Sequence, residues 1–384
     1  MARVILFGGG LQMISVARSL KTTGHYVFAI TKYDKVAKKS NFIDRYEDIE
    51  SDRDLHVVTS KLIEFIHQDR IDVVIPMEDA QATSLSQCKK NIEIKTQARC
   101  AVMDWDVFRM VSDKTKLLEF CKINDIPHPR TALITDDIDV VAEEVGFPSL
   151  IKPSHSEGAK GIVLVNNLEE LKEKAPLIIS EYGECGLQEY ITSKPYYYNL
   201  MLYRSQSGEF GNSVIIKILR FYPIKGGSSC LAVTVKNEVM TEICKKLLNK
   251  LNWVGFADFD ILEKEDGDFR IIEINPRVPA SVRGAAISGV NFPEMIVEDL
   301  MNGYIKKYTF REGEYLRYLG LDIAWFLASP SRFSCSPSWF KFFGKHLHYQ
   351  EGGMKDLPAM ATSIIEGIKK QLNPEFRKKK SGMN

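Results

Sequence analysis

The stretch Gly255-Phe256-Ala257-Asp258-Phe259-Asp260-Ile261-Leu262-Glu263-Lys264-Glu265-Asp266-Gly267-Asp268-Phe269-Arg270-Ile271-Ile272-Glu273-Ile274-Asn275-Pro276-Arg277 decides how the chain is read. Apolar and polar residues alternate on both sides of Asp266-Gly267, the pair favoured in a two-residue hairpin turn. That turn makes Glu263 face Arg270, an opposite-charge pair that supports the register. Phe259 then meets Ile274 and Ile261 meets Ile272 on one face, while Asp260 faces Glu273 and Asp258 faces Asn275 on the other.

Two carboxylates directly opposite on a sheet have Cβ atoms about 4.5–5.5 Å apart and repel each other unless a cation lies between them. Oxygen ligands with no His or Cys beside them favour magnesium, with manganese as a substitute, and magnesium shares its shell with waters and phosphate oxygens. Asp260, Glu273 and Asn275 are the predicted metal ligands. Pro276 ends the strand, so Arg277 opens a loop at the sheet's end, where its fork of donors suits charge on phosphoryl oxygens. Arg283 lies six residues on and reads either as a clamp on a carboxylate or phosphate or as half of a surface salt bridge.

Upstream, Leu150-Ile151-Lys152-Pro153 is a strand ending in a lysine that is costly to bury unpaired, and a phosphate would resolve that cost. The loop Ser154-His155-Ser156-Glu157-Gly158-Ala159-Lys160-Gly161 follows, then a second strand over residues 162–165. It is not a Walker A loop, since no Lys-Ser or Lys-Thr opens a helix after the glycines. Its small residues suit a lid whose backbone N–H groups and Lys160 meet phosphate charge.

The first hundred residues alternate strands (4–7, 26–30, 73–76) with helical patterns (11–20, 61–67), which predicts βαβ units and a parallel sheet. Gly8-Gly9-Gly10 after the first strand lacks the G-x-G-x-x-G spacing of a dinucleotide turn and reads as a structural strand-to-helix turn. At Ser112-Asp113-Lys114 a new helix opens, and the prolines of Ile126-Pro127-His128-Pro129 force an extended connector. The division expected is 1–111, 112–305 (lobes about 112–190 and 191–305) and an aromatic-rich extension at 306–384.

Composition limits the function classes. Lys and Arg number 51 against 50 Asp and Glu, which argues against nucleic-acid binding by bulk phosphate neutralisation. Seven cysteines with no C-x-x-C pair suit buried thiols in a reducing compartment. No apolar run approaches the roughly 20 residues of a membrane span. The expectation is a cytoplasmic protein with no membrane span and no nucleic-acid partner.

Taken together, Asp113-Lys114, Lys152-Pro153 with its glycine loop, Gln188-Glu189-Tyr190-Ile191, Asp260 and Glu273-Ile274-Asn275-Pro276-Arg277 resemble, in that order, the ATP-grasp ligases. Within them the chain most resembles the carbamoyl-phosphate-synthase-large-subunit-like group, over roughly residues 1 to 305. The resemblance implies an α/β fold in which a Rossmann-like parallel-sheet domain precedes two α+β lobes that grip ATP, followed here by the C-terminal extension. It implies that Lys114 and Lys152 contact ATP phosphates, Ser156, Gly158, Lys160 and Gly161 form the lid, and Glu189, Tyr190 and Ile191 border the adenine. Asp260, Glu273 and Asn275 would hold magnesium and Arg277 would steady the phosphoryl group. The implied chemistry is ATP-dependent activation of a carboxylate as an acylphosphate and attack by an amine, on a small molecule or saccharide precursor, in a protein whose homodimer is compatible with the fold.

The chain departs from the group where an acidic ribose ligand is usual: Pro195 stands among Lys194-Pro195-Tyr196-Tyr197-Tyr198, leaving Asn199 or a tyrosine as substitutes. Lys217, Arg220 and Lys225 lie where substrate-covering residues occur and read either as contacts to an acidic substrate or as a solvated basic strand edge. Two rivals remain at this stage: an ATP-binding regulatory module without turnover, and an NAD-dependent oxidoreductase using the glycine turn, although Ala29-Ile30-Thr31-Lys32 offers no ribose-binding acid.

Overall fold

A continuous apolar strand needs cover on both faces, and the N-terminal strands receive it. In the computed structural model, which describes residues 1–49, 54–155, 160–224, 227–350 and 354–372, β1 (Arg3–Phe7), β2 (Tyr26–Thr31), β3 (Arg45–Asp48), β4 (Val73–Pro76) and β5 (Arg99–Cys100) form a parallel sheet in the order β3-β2-β1-β4-β5. Val4 and Leu6 face Met13, Val16 and Leu20 of the helix Leu11–Thr22. Ile5 and Phe7 face the opposite way, toward Leu62 and Ile66 of the helix Leu55–Asp69 and Leu85 of the helix Asp79–Lys95. Period-two alternation along one strand thus feeds two cores.

β6 (Thr131–Leu133), β7 (Ser149–Pro153), β8 (Val163–Val165) and β9 (Cys185–Glu189) make an antiparallel sheet ordered β6-β9-β7-β8. Ile151, Val165 and Leu187 pack against Val141, Val145 and Leu171 of two covering helices. The helix Lys114–Ile123 that leads into this lobe starts where the sequence places it, because the Asp113 carboxylate accepts from the backbone N–H groups of Thr115 and Lys116 at 3.1 Å each.

The largest sheet is assembled from β10 (Ser193–Arg204), β11 (Phe210–Tyr222), β12 (Ser228–Val235), β13 (Gly255–Lys264), β14 (Phe269–Asn275), β15 (Tyr315–Arg317) and β16 (Leu347–Tyr349), in the order β14-β13-β10-β11-β12-β15-β16. The segment after residue 305 therefore does not stand apart: β15 pairs antiparallel with β12 and β16 parallel with β15. Asp322, wholly buried on the helix Leu319–Ala328, takes Arg220 of β11 at 2.8 and 2.9 Å and Arg317 of β15 at 2.6 Å.

The β13–β14 hairpin differs from its predicted form at the turn and agrees with it at the far end. Lys264 accepts from Gly267 N–H and donates its own N–H to Asp268 O, so three residues, Glu265 to Gly267, make the loop, with Gly267 at φ +92°. That is the three-residue hairpin with glycine in the left-handed position. Glu263 consequently pairs with Phe269 and not Arg270, and Ile261 with Ile271 and not Ile272. A one-residue irregularity next to Asp260 then restores the expected partners: Asp260 with Glu273, Phe259 with Ile274 and Asp258 with Asn275.

Released from Arg270, the buried Glu263 carboxylate accepts from Tyr198 Oη at 2.8 Å and pairs with Lys194. Burial alone would raise its pKa, but Lys194 and Tyr198 outweigh it and hold the carboxyl below the ordinary value of 4.5. Tyr198→Phe is expected to cost about 1–2 kcal/mol in urea unfolding at neutral pH. A depressed carboxyl contributes stability above its unfolded pKa and loses it as pH falls through the folded one, so the deficit should close at low pH.

Candidate active site

Strand register puts Asp258, Asp260, Glu273 and Asn275 on one face at the end of the hairpin away from the turn. Asp258 is 2% exposed and its Oδ1 has no hydrogen-bond partner. Burial, with Glu273 and Asp79 nearby, pushes its carboxyl up to about 8 against the pull of Arg277. Asp260 is raised well above the carboxylate range, by burial first and then by Glu273 and Asp258. Glu273 moves the other way: although burial opposes its ionisation, Lys114, the hydrogen bond to Asp260 and Lys152 hold it low. The two opposed acids are thus pushed apart, Asp260 toward its protonated form and Glu273 toward its ionised form.

An orphaned buried carboxylate oxygen beside a crowded acid pair is what a hard cation would relieve, and the donors are all oxygens. Among the described residues no group of three or more His, Cys, Asp or Glu side chains is arranged to hold a metal ion by itself. A cation on this face would complete its shell with Asn275 and with water or ligand oxygens. Asn199 of β10, opposite Asp260 across the sheet, donates its amide to Asp260 Oδ1. It is thus committed to the acidic face, a role different from the ribose contact considered for it.

The four-stranded lobe supplies cations to this face. Lys114 Nζ is 3.5 Å from Glu273 Oε2. Lys152 ends β7 half-buried, and burial pulls its pKa from 10.5 to about 8, with Lys114 lowering it further and Glu273 and Asp260 opposing. Lys160 is exposed. Gly161 sits at φ +72°, where an added Cβ would lie 2.8 Å from Pro153 Cγ, so this end of the loop requires glycine. Ser156, Gly158 and Lys225 lie outside the described residues.

At the end of β9 the backbone N–H of Glu189 donates to Arg130 O at 2.8 Å and that of Tyr190 to Pro148 O at 3.0 Å. The Glu189 carboxylate accepts from Arg130 N–H at 3.1 Å, Tyr190 is 43% exposed and Ile191 is buried.

Arg277 forks onto Asp79, Nε to Oδ1 at 2.8 Å and Nη2 to Oδ2 at 3.3 Å, and its Nη2 lies 3.5 Å from Asn275 Oδ1. Asp79 opens the helix Asp79–Lys95 of the parallel-sheet domain, so the arginine is aimed by a residue far away in sequence that nothing in the sequence reading singled out. Arg283 donates to Tyr349 O at 2.7 Å. Neighbours of both borders meet at a cavity of about 560 Å³, lined among others by Glu78, Gln81, Ser229, Ser281, Tyr318 and Glu366. The C-terminal segment thus makes one of its walls.

Two expectations change here. Arg220 does not face a substrate: it is 4% exposed, with its guanidinium on Asp322 and on Pro337 O at 2.9 Å, over Trp325. Lys217 lies over the Tyr196 ring at 3.5 Å. The glycine turn borders the same cavity, but its backbone donors are taken by the protein: Gly9 N–H donates to Glu78 Oε2 at 2.8 Å and Gly10 N–H to Asp34 Oδ2 at 3.3 Å. Carboxylates stand where a dinucleotide's pyrophosphate would have to lie, which speaks against the oxidoreductase reading.

Comparison with known proteins adds an outside view. Residues 111–281 match the ATP-grasp domain. A D-aspartate ligase of Enterococcus faecium is 24% identical over 253 residues, 59% of this chain and 58% of that protein, so the chain spans less than two thirds of this relative. A D-alanine–D-alanine ligase of Francisella tularensis is 25% identical over 279 residues, 69% of this chain and 90% of that one. Among solved structures, the Staphylococcus aureus N5-carboxyaminoimidazole synthetase with ADP superposes with a TM-score of 0.64 at 17% identity, covering 80% of each chain. The biotin carboxylase domain of Hydrogenobacter thermophilus 2-oxoglutarate carboxylase, solved with MgADP and bicarbonate, gives 0.67 at 17% identity, covering 82% of this chain and 73% of that one. At these identities the structures speak for the fold.

Proposed function

We propose that the chain, whose residues 111–281 match the ATP-grasp domain, is a cytoplasmic ADP-forming ligase joining a carboxylate to an amine. The observation that carries the reading is the convergence of Lys114 and Lys152 from one lobe on the acidic face of the other at Glu273 and Asp260, where Asp258 on the same face leaves one carboxylate oxygen orphaned. Cations set opposite acids across a cleft are an arrangement for a polyphosphate and its counter-ion.

In this reading Lys114 and Lys152 take ATP phosphates, and Ser156, Gly158, Lys160 and Gly161 close over them. Glu189, Tyr190 and Ile191 border the adenine, which requires the Glu189 carboxylate to exchange Arg130 for the base. Asp260, Glu273 and Asn275, joined by Asp258, would hold magnesium. When bound, magnesium would neutralise charge on the phosphate chain. Arg277, held in its orientation by Asp79, presents its remaining donors to the transferring phosphoryl group. A substrate carboxylate oxygen attacks the terminal phosphorus and ADP leaves. The amine then attacks the acyl carbon, losing a proton, and phosphate leaves. The lysine and arginine charges position the reactants and offset the negative charge that accumulates, with no covalent enzyme intermediate required.

The cavity beside Arg277 and Arg283 is the substrate site in this proposal. Its Glu78 and Glu366 suit an ammonium group, and the hydroxyls of Ser229, Ser281 and Tyr318 suit a hydroxylated body such as a saccharide precursor. At about 560 Å³ it exceeds what one small amino acid fills. The test is ADP release from magnesium-ATP with amino acids paired against sugar acids and other carboxylates. Turnover that needs both partners is the expected result. Tight ATP binding without pair-dependent turnover would instead identify a regulatory ATP module.

A further inference from the structure

Residues 323–350 contain no Asp or Glu, in a chain where acids number 50 of 384. The same run carries Arg332, Lys341 and Lys345 and a dense set of aromatic rings. Several of these rings are not core. Phe333 is 74% exposed, Phe340 57%, Phe343 89% and Leu327 71%. Phe333 and Phe340 are nevertheless held in place. Trp339 packs 4.3 Å from Phe326 and donates Nε1–H to Asp322 O at 3.0 Å, while Phe340 rests against Phe326 at 5.8 Å and Phe333 at 6.4 Å. An ordered apolar patch kept in water marks a surface that meets something else.

The charge next to the patch is one-sided. A cavity of about 160 Å³ is lined by Arg220, Arg317, Lys341, Lys345 and His346. No Asp or Glu among the described residues lines it, and two nearby acids in the chain are already engaged: Asp322 is shared by Arg220 and Arg317, and Glu314 by His346, His348 and Arg311. Among the described residues no carboxylate pairs with Lys341 or Lys345. A ring 89% exposed stands clear of the surface instead of lining a groove, which is unlike a seat for a peptide. A second copy would set these cations against its own, which costs affinity.

We propose that this face docks on an anionic lipid membrane. Phe333, Phe340 and Phe343 enter the boundary between headgroups and acyl chains, and Lys341 and Lys345 take the lipid phosphates. The chemistry is that of interfacial anchors, in which rings supply apolar area and lysines supply attraction to anionic headgroups. The proposal does not depend on the ligase reading.

Vesicle co-sedimentation of the full chain tests it. Binding is expected to vesicles of phosphatidylcholine mixed with phosphatidylglycerol, to be weak on phosphatidylcholine alone, and to fall as salt screens the charges. K341E/K345E and F340S/F343S should each reduce binding about tenfold or more, with the thermal stabilisation by magnesium-ATP unchanged as the check on folding. Absence of binding to the mixed vesicles, or binding indifferent to both double variants, would overturn the proposal. A stable dimer in solution that F340S/F343S dissolves would also overturn it, by giving the patch to a second copy.

Discussion

Glu273→Gln is expected to lower turnover by on the order of 10²–10³-fold or more while leaving the unliganded protein about as stable as before. The activity loss follows, in the proposed function, from removing one of the few anionic oxygens on the face proposed to hold a cation against phosphate, where a preorganised charge acts on the phosphoryl group. The stability expectation comes from the opposed pair. Glu273 raises the pKa of Asp260 and the two are hydrogen-bonded, and a glutamine amide can hydrogen-bond Asp260 without a second charge. Against that gain, Lys114 and Lys152 lose an anionic neighbour, so the two effects offset to within about 1 kcal/mol. Two measurements separate them: pair-dependent ADP release, and the magnesium dependence of thermal stabilisation by ATP, which should disappear. Release near the wild-type rate would show that the acids have been given the wrong task.

Lys152→Met should raise stability and, like Glu273→Gln, lower activity. Its ammonium is depressed from 10.5 to about 8, mainly by burial, so the folded protein holds this proton less tightly than the unfolded chain does. The resulting penalty is whole below pH 8, shrinks as pH rises toward 10.5 and is gone above it. Methionine keeps the length of the side chain and removes the charge. The variant should therefore gain on the order of 1–2 kcal/mol at pH 7, less than the full shift implies because the lysine is only half-buried. The gain should fade in unfolding measured at pH 10. ATP-dependent turnover should fall about 10²-fold, since in the proposed function a phosphate loses one of its two cationic partners from this lobe. A stability gap that ignores pH, or turnover that survives, would contradict this account.

How far the sequence could be read depended on the distance over which each interaction acts. The acidic face was legible because it depends on alternation along two neighbouring strands, and it survived a wrong turn. Asp-Gly serves both two- and three-residue loops, and the one-residue slip introduced there is undone by the irregularity beside Asp260, so the error is confined to the expected pairs Glu263–Arg270 and Ile261–Ile272. Asp258 could have joined the metal set on the same alternation. The Arg277–Asp79 fork could not have been found, because its partners sit 198 residues apart in different sheets' surroundings. Arg220 misled for a related reason: a basic residue in a polar stretch looks available until Asp322, 102 residues later, is brought to it. β15 and β16 are three residues each, too short for any periodicity to announce.

Those two short strands bear on what counts as the minimal folding unit. The stretch that matches the ATP-grasp domain ends at residue 281, yet the outer edge of β12 is closed by β15, and β15 by β16. Without them β12 would present an unpaired row of N–H and C=O groups to any other extended chain, the usual seed of edge-to-edge aggregation. The same cut would strip Asp322 from the buried Arg220. The C-terminal segment is therefore a selvedge: it finishes the sheet and keeps it from sticking to its neighbours, whatever else it recognises.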